Sequence, residues 1–196
     1  MSSPTTFKKT GFVVMKKTIS QEVADFAYQY LLMKRQVAKT LINNNLIPPF
    51  ETQYGIFSDD QVPNTYSVYG DIAMETLLLQ CIDKMKETTG YDLIPTYAYA
   101  RIYKNGDILR RHKDRESCEI STTLNLGGDP WPIYIDQNPA AGYHDENKIY
   151  HSKENKGTEI LLEPGDMLVY RGFDLEHWRD AFNGKDCGQV FLHYND

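Results

Sequence analysis

The chain has 196 residues, of which 41% are hydrophobic and 24% are charged. This length and composition predict one soluble globular domain that is large enough to bury a substantial core. The net charge of -6 at pH 7 argues against a general nucleic-acid binder, because such proteins need a basic surface. The three cysteines have no metal-binding spacing, which favours a reducing compartment.

The N-terminal half predicts a strand and two helices that brace a sheet. Residues 1–10 have the composition of a short polar tail, and "GFVVMKK" is typical of a strand. Thr18 or Ser20 is suited to cap a helix that ends near Asn43, and a second helix ends at Gly90. The many turn-forming residues between 46 and 66 predict a loop there. We see no apolar leader and no run of about 20 apolar residues, so we expect a cytoplasmic protein without a membrane partner.

The second half changes to short β-like runs separated by glycine-containing turns. Eight strands are predicted, at 96–104, 108–112, 117–126, 131–136, 158–163, 166–171, 175–182 and 188–194. The fold class is therefore mainly β (α+β), with residues 1–94 as the bracing part and residues 95–196 as the core of one domain. The polar segment 137–157 is long for a compact domain, and we consider it a candidate lid.

Three residues in the predicted core have the types and spacing of a metal site. His112 and Asp114 lie two residues apart in a β-like run, so their side chains are expected to share a face. His177 follows the buried strand of "EPGDMLVY". Two imidazoles and one carboxylate on one side of a metal are typical of non-heme Fe(II) oxygenases, since other coordination positions stay open.

The segments around these residues resemble a known family. "YARIYKNGDILRRHKD" and "LLEPGDMLVYRGFDLEHW" are similar to the site segments of 2-oxoglutarate/Fe(II) dioxygenases, particularly the prolyl-hydroxylase-like branch. The resemblance covers residues 95–196 and implies a double-stranded β-helix (jelly roll). It also implies an oxidoreductase that uses Fe(II), 2-oxoglutarate and O₂. Such an enzyme releases succinate and CO₂ while it hydroxylates a C–H bond in a prolyl or other residue of a protein or peptide, or in a small molecule.

The sequence departs from the family where the far carboxylate of 2-oxoglutarate is normally held. The family has an arginine or lysine nine or ten residues after the distal histidine, but this chain has Asp186 and Cys187 there. Arg179 is the preferred substitute, because on a strand it shares a face with His177 and its planar fork matches a carboxylate. Lys185 and Arg101 remain alternatives, and Arg115 is a weaker one. Tyr103 matches the family's strand tyrosine, and the remaining predicted contacts are Gln189 and Thr123.

Two other classes of protein remain open at this point. One is a cupin-type metal-binding barrel enzyme that does not use 2-oxoglutarate, which the missing basic residue favours. It would gain support if Arg179 pointed to solvent. The other is a non-catalytic jelly-roll binding module, which requires the pattern of His112, Asp114 and His177 to be accidental. It would gain support if the three side chains lay far apart.

Overall fold

The computed structural model describes residues 4–147 and 149–196, where the chain is mostly β-structure. Its three helices are α1 Pro4–Thr10, α2 Gln21–Asn43 and α3 Ile72–Thr89. The strands are β1 Phe12–Met15, β2 Tyr66–Tyr69, β3 Ile94–Lys104, β4 Leu109–His112, β5 Ile120–Gly128, β6 Ile133–Ile135, β7 Gly142–His144, β8 Tyr150–Ser152, β9 Thr158–Ile160, β10 Met167–Arg171, β11 His177–Arg179 and β12 Asp186–Asn195. No helix within these described residues has the length and apolarity needed to cross a bilayer.

The strands form two antiparallel sheets and a separate hairpin. The larger sheet has the order β1-β10-β5-β12-β3-β2, the smaller has the order β4-β11-β6-β9, and β7 pairs with β8. All eight strands predicted after residue 96 are present, as β3 to β6 and β9 to β12. Consecutive core strands change sheet at nearly every connection, so the last strand β12 returns to lie beside β3 and β5.

The helices α2 and α3 end where their sequences predict, and each begins at a capping side chain. The Ser20 side chain accepts a hydrogen bond from the Val23 amide at the start of α2, so Ser20 rather than Thr18 is its cap. The Asp71 carboxylate does the same for the first amides of α3. Gly90 ends α3 in the left-handed conformation with φ 71°, which a glycine adopts without steric cost.

Side-chain alternation along β3 places two different layers on its two faces. Its even-numbered residues from Ala98 to Ile102 belong to the apolar core that includes buried residues of α2 and α3. Its odd-numbered residues from Tyr97 to Tyr103 line a cavity on the other face. The apolar face of β3 therefore packs in the core and fixes the position of the larger sheet. The opposite face presents its polar and aromatic side chains to the cavity.

Three short elements were not predicted from the sequence. Residues 4–10 form α1 rather than a polar tail, because Phe7 is fully buried in the core; residues 1–3 lie outside the described part. The strand β2 begins at residue 66, at the end of the predicted loop, and it is held by pairing with β3. The segment 137–157, in which residue 148 is not described, contains the β7–β8 hairpin. Each element is short and depends on a tertiary contact or a pairing that periodicity does not reveal.

Candidate metal centre and active site

The pairing of β4 with β11 brings the two predicted histidine ligands together. His112 and His177 are register partners, and their ring centroids are 4.2 Å apart. Asp114 lies just beyond the end of β4, where its amide donates to the Gly172 carbonyl at 2.9 Å. Its Oδ1 is 3.7 Å from His112 Nε2 and 3.6 Å from His177 Nε2. All three potential ligand atoms lie within 4.8 Å of one another, as a metal site requires.

Backbone carbonyls orient both imidazole rings. The Nδ1 atom of His112 is 2.7 Å from the Arg110 carbonyl oxygen, and the Nδ1 atom of His177 is 3.0 Å from the Leu175 carbonyl oxygen. A carbonyl oxygen only accepts hydrogen bonds, so each ring carries a proton on Nδ1, which leaves Nε2 as the atom available to a metal. Burial, followed by the proximity of His177, lowers the pKa of His112 to about 4, so this ring is neutral at pH 7.

Asp114 is held by a second layer of polar groups. The Ser121 hydroxyl donates to Asp114 Oδ2 at 2.5 Å and lies 3.1 Å from His193 Nδ1. Burial opposes ionisation of the carboxyl group, but His177 outweighs it and holds the pKa of Asp114 well below its usual range. Gly172 is required here by close approach, since a Cβ at this position would collide with the Asp114 carboxylate and the Ser121 hydroxyl. The site thus keeps an ionised carboxylate beside the two imidazoles.

Four of the five predicted co-substrate contacts lie close together behind the histidines. The Arg179 guanidinium donates to the Thr123 hydroxyl at 3.3 Å and to the Trp131 carbonyl at 2.5 Å. The Thr123 hydroxyl donates to the Gln189 side-chain oxygen at 2.9 Å. Tyr103 packs edge-on against Trp131, at 4.8 Å between ring centroids. Lys185 is instead exposed in the turn before β12 and does not line the cavity, so we leave it out of the site proposed below.

Arg179 is buried without an acidic partner among the residues that the structure describes. Its relative exposure is 1%, and its Nε has no hydrogen-bond partner. Burial lowers its pKa, and the groups that oppose this effect are Cys187, Tyr103 and Tyr170, none of them a carboxylate. An isolated buried cation is costly unless an anion reaches it. Arg179 is therefore a buried cation whose charge no carboxylate of the described residues balances.

Sequence reasoning missed a loop that contacts the site. The Gln61 side-chain nitrogen is 2.9 Å from His112 Nε2, and its oxygen accepts from Arg101 at 3.1 Å. Asp59 forms an ion pair with Arg101 at 2.9 Å and accepts from the Tyr99 hydroxyl at 2.5 Å. The only signal in the sequence was Arg101 itself, a charged residue inside a predicted strand, which needed an acidic partner from elsewhere.

A cavity of about 280 Å³ connects the His-Asp-His group to solvent. Its walls come from both sheets and from the loop that contains Asp59 and Gln61, and Arg101 lines it whereas Arg179 lies behind the wall. The β7–β8 hairpin does not line the cavity: Tyr143, His144 and His151 are exposed, and His151 is bound to Asp145 at 2.8 Å. The exposed hairpin residues thus lie outside the cavity wall, while Lys113 of that wall donates to the Pro139 carbonyl of the same segment at 2.6 Å.

His193 leads to a prediction about acid stability. The side chain is 7% exposed, and burial lowers its pKa to about 4, whereas an unfolded histidine titrates near 6.5. As the pH falls through this window, the unfolded chain binds the proton first, so the free energy of unfolding decreases. We expect His193 to account for a loss of about 2 kcal/mol between pH 7 and pH 5 in the metal-free protein.

Urea unfolding of wild type and His193→Asn at both pH values measures this contribution directly. His112 titrates in the same window, so only the difference between the two proteins isolates His193. The exposed His144→Asn variant is the matched control and should keep the wild-type pH dependence. Equal pH dependence in His193→Asn and wild type would show that His193 is not held neutral by the fold.

Comparison with known proteins identifies other proteins that have this fold. No family model matches the chain, and no curated protein sequence matches it. Solved structures do match, and the fold is the one that members of the 2-oxoglutarate/Fe(II) oxygenase family share. The resemblance predicted from the sequence is thus confirmed for the fold.

Three of these structures illustrate the match. A prolyl-4-hydroxylase from Pseudomonas putida is 11% identical, with a TM-score of 0.60 over 98% of this chain and 96% of that one. HygX from Streptomyces hygroscopicus, solved with nickel, 2-oxoglutarate and hygromycin B, is 13% identical, with a TM-score of 0.66 over 96% and 84%. The epimerase SnoN, in complex with Fe³⁺, α-ketoglutarate and nogalamycin RO, is 11% identical, with a TM-score of 0.68 over 98% and 82%. At these identities the likeness establishes the fold alone.

Proposed function

We propose that this protein is a non-heme Fe(II) enzyme that couples the oxidative decarboxylation of 2-oxoglutarate to the hydroxylation of a substrate C–H bond. The observation that carries the proposal is the convergence of His112, Asp114 and His177, whose potential ligand atoms lie within 4.8 Å of one another. Two imidazoles and one carboxylate are the donor set typical of this enzyme class. The shared fold of solved oxygenases supports the proposal.

The strand order supports the jelly-roll assignment. Four core strands, β10-β5-β12-β3, face four others, β4-β11-β6-β9, and all pairings between neighbours are antiparallel. Two four-stranded layers of this kind are what a jelly roll requires. The remaining strands, β1 and β2, extend the larger layer at its two edges. We treat residues 1–196 as a single domain, in which residues 1–94 brace this β core.

The residues present fit a bound metal ion. His112 and His177 would bind it through Nε2, because their Nδ1 atoms are engaged with carbonyl oxygens, and Asp114 would bind it through Oδ1. Ser121 would keep Asp114 in place through its hydrogen bond to the other oxygen. When bound, Fe(II) supplies the activation of O₂ that the amino-acid side chains do not supply.

Arg179 would bind the far carboxylate of 2-oxoglutarate. It is a buried cation on the same strand as His177, and it has no carboxylate partner in the described ranges. Thr123 and Gln189 keep the guanidinium in position through their linked hydrogen bonds, and Tyr103 closes the wall nearby. Low exposure of this group excludes water, so a charge-assisted hydrogen bond formed there is strong.

The proposed substrate is either a macromolecule or a small molecule. The neighbours include a prolyl-4-hydroxylase as well as an enzyme solved with hygromycin B, so they favour neither class. The cupin-type alternative would have gained support from an Arg179 that faced solvent, and the 1% exposure of Arg179 removes that support. The non-catalytic alternative would have gained support from three candidate ligands that lie far apart, and their closeness removes that support.

Turnover tests the proposal. We expect the Fe(II)-loaded protein to convert 2-oxoglutarate to succinate slowly without substrate, and to stop when the metal is removed by a chelator. Succinate is measured by chromatography, and protein re-loaded with Zn(II) serves as the control that restores the charge but not the redox chemistry. No succinate from protein with Fe(II) verifiably bound would contradict the proposal.

Gln61 provides a prediction about metal affinity. Its side-chain nitrogen donates to His112 Nε2, the atom that the metal needs, so metal binding must break this hydrogen bond. A net hydrogen-bond contribution near 1 kcal/mol predicts that Gln61→Ala binds Mn(II) about three- to tenfold more tightly than wild type. Calorimetric titration measures the affinity, with Gln53→Ala as the control on the same loop. Equal or weaker binding by Gln61→Ala would show that Gln61 does not compete with the metal.

A further inference from the structure

One end of the cavity has a floor of aromatic rings that the proposed chemistry does not use. Tyr69 on β2, Tyr97 on β3 and His193 on β12 lie in series across three neighbouring strands. The ring centroids are 4.9 Å apart for Tyr69 and Tyr97 and 4.6 Å apart for Tyr97 and His193. Tyr99 and Phe191 extend the same floor, with centroids 6.2 Å apart. We call these five residues the aromatic floor.

The aromatic floor is open to solvent although it adjoins the metal site. Tyr69 is 61% exposed, and Tyr97, Tyr99 and Phe191 are half-buried. Large apolar side chains exposed side by side usually mark a place where a ligand or partner binds. Tyrosine rings offer flat apolar faces on which another ring packs with little loss of conformational entropy. The geometry therefore favours a ligand that brings a ring to this surface.

Two cations that line the cavity define the charge of that ligand, and Arg115 is the one at the edge of the aromatic floor. The described residues place no carboxylate in an ion pair with Lys113 or Arg115, and the Lys113 ammonium donates to the Pro139 carbonyl at 2.6 Å. Arg115 is exposed and donates to the Tyr97 hydroxyl at 3.2 Å, so its guanidinium lies at the ring that forms the middle of the floor. The negative charge of Asp59 is neutralised by Arg101. An anion bound above Tyr97 would thus meet unpaired positive charge.

We propose that the aromatic floor and Arg115 form the substrate subsite, and that it binds a ring-bearing anion, a carboxylate or a phosphate ester. This inference rests on the proposed function, because it assigns the prime substrate of the same site. The ring would pack on Tyr69 and Tyr97 while the anionic group pairs with Arg115, with Lys113 adding a favourable charge nearby. A cationic ligand would gain from the aromatic faces but would be repelled by Lys113 and Arg115.

Four small probes with the same phenyl group test the charge preference. The protein is loaded with Mn(II) and saturated with 2-oxoglutarate, which occupies the co-substrate position without turnover. 3-Phenylpropionate, phenyl phosphate, 3-phenylpropan-1-ol and 3-phenylpropylammonium are then titrated by calorimetry. We expect one or both anions to bind about tenfold more tightly than the alcohol, since a charge-assisted pair is worth that much, and the ammonium to bind most weakly. Whichever anion binds more tightly identifies the anionic group.

Variants locate the probes on the surface. Arg115→Gln should remove the advantage of the anion over the alcohol, and Tyr69→Ala should weaken the anion and the alcohol equally. Arg110→Gln, an exposed arginine on the neighbouring strand that does not line the cavity, should change neither. Relaxation of the probe's ring protons by Mn(II) reports that the ring lies beside the metal.

The outcomes separate this inference from the proposed function. Equal affinity for anion and alcohol, tightest binding of the ammonium, or an Arg115→Gln variant that still prefers the anion would each overturn it. Binding of 2-oxoglutarate is measured separately in the same calorimeter before any probe is added. Failure of that step contradicts the proposed co-substrate, whereas probe affinities and their dependence on Arg115 remain readable without it.

Discussion

Replacing Arg179 with methionine should abolish 2-oxoglutarate binding and at the same time stabilise the metal-free protein. The buried guanidinium has no carboxylate partner in the part of the chain described by the structure, so the ligand would supply the missing anion. Losing a buried, hydrogen-bonded charge pair predicts a decrease of about 100-fold or more in 2-oxoglutarate affinity. Metal affinity should be unchanged, because Arg179 does not contact the His-Asp-His group.

The stability effect follows from the same burial. In the metal-free protein Arg179 carries a desolvated charge, and among the described residues its hydrogen bonds go to the Thr123 hydroxyl and the Trp131 carbonyl. An apolar side chain of similar length removes this cost, and we expect the free energy of unfolding to rise by about 1 to 3 kcal/mol in spite of the lost hydrogen bonds. Urea unfolding of the metal-free variant measures the change.

Arg101→Met is a matched control, because Arg101 is also a buried arginine but has an acidic partner. Its exposure is 2%, and it is paired with Asp59 at 2.9 Å. Removing it leaves the half-buried Asp59 carboxylate without its cation, so this variant should lose about 3 kcal/mol of stability. If Arg179→Met retained 2-oxoglutarate affinity while Arg101→Met lost it, the anchor would be Arg101 instead.

Asp114→Asn should remove metal binding almost completely. The substitution keeps the shape of the side chain but loses the negative charge that lies beside both imidazoles. Changes to groups that only support a metal ligand typically weaken binding 10- to 100-fold, so loss of the carboxylate ligand itself should weaken Mn(II) binding by at least about 100-fold. The variant should also lose the metal-dependent part of its 2-oxoglutarate binding.

Calorimetric titration with Mn(II) checks this result, and Asp145→Asn is its control. Asp145 is also an aspartate beside a histidine, His151, but it lies in the exposed β7–β8 hairpin outside the cavity. Its substitution should leave the metal affinity at the wild-type value. Metal affinity of Asp114→Asn within tenfold of wild type would place the metal elsewhere in the molecule.

The sequence predicted the strands and the metal candidates because both depend on local patterns. The eight core strands follow alternation and glycine-containing turns, and His112, Asp114 and His177 follow residue type and spacing. The three side chains converge partly for a reason that the sequence analysis did not give. Asp114 lies beyond the last residue of β4, and its backbone bond to Gly172 rather than strand alternation brings it toward the histidines.

What the sequence could not predict depends on contacts between distant segments. Gln61 and Asp59 come from a loop without periodicity, and their contacts with His112 and Arg101 arise only once β2 pairs with β3. The choice of the basic residue that would bind the far carboxylate of 2-oxoglutarate likewise depends on burial, which the sequence does not show. Lys185 is exposed in its turn, whereas Arg179 is enclosed between the two sheets by Trp131 and Thr123.

The most direct test of the central proposal is an anaerobic titration of the Fe(II)-loaded protein with 2-oxoglutarate, followed by visible absorption. Chelation of the iron by the 2-oxo acid produces a weak charge-transfer band, so we expect a saturable band in wild type and none at the same concentrations in Arg179→Met. Iron content is verified independently in both proteins. Absence of the band in wild type with Fe(II) bound would contradict the assignment of 2-oxoglutarate as the co-substrate.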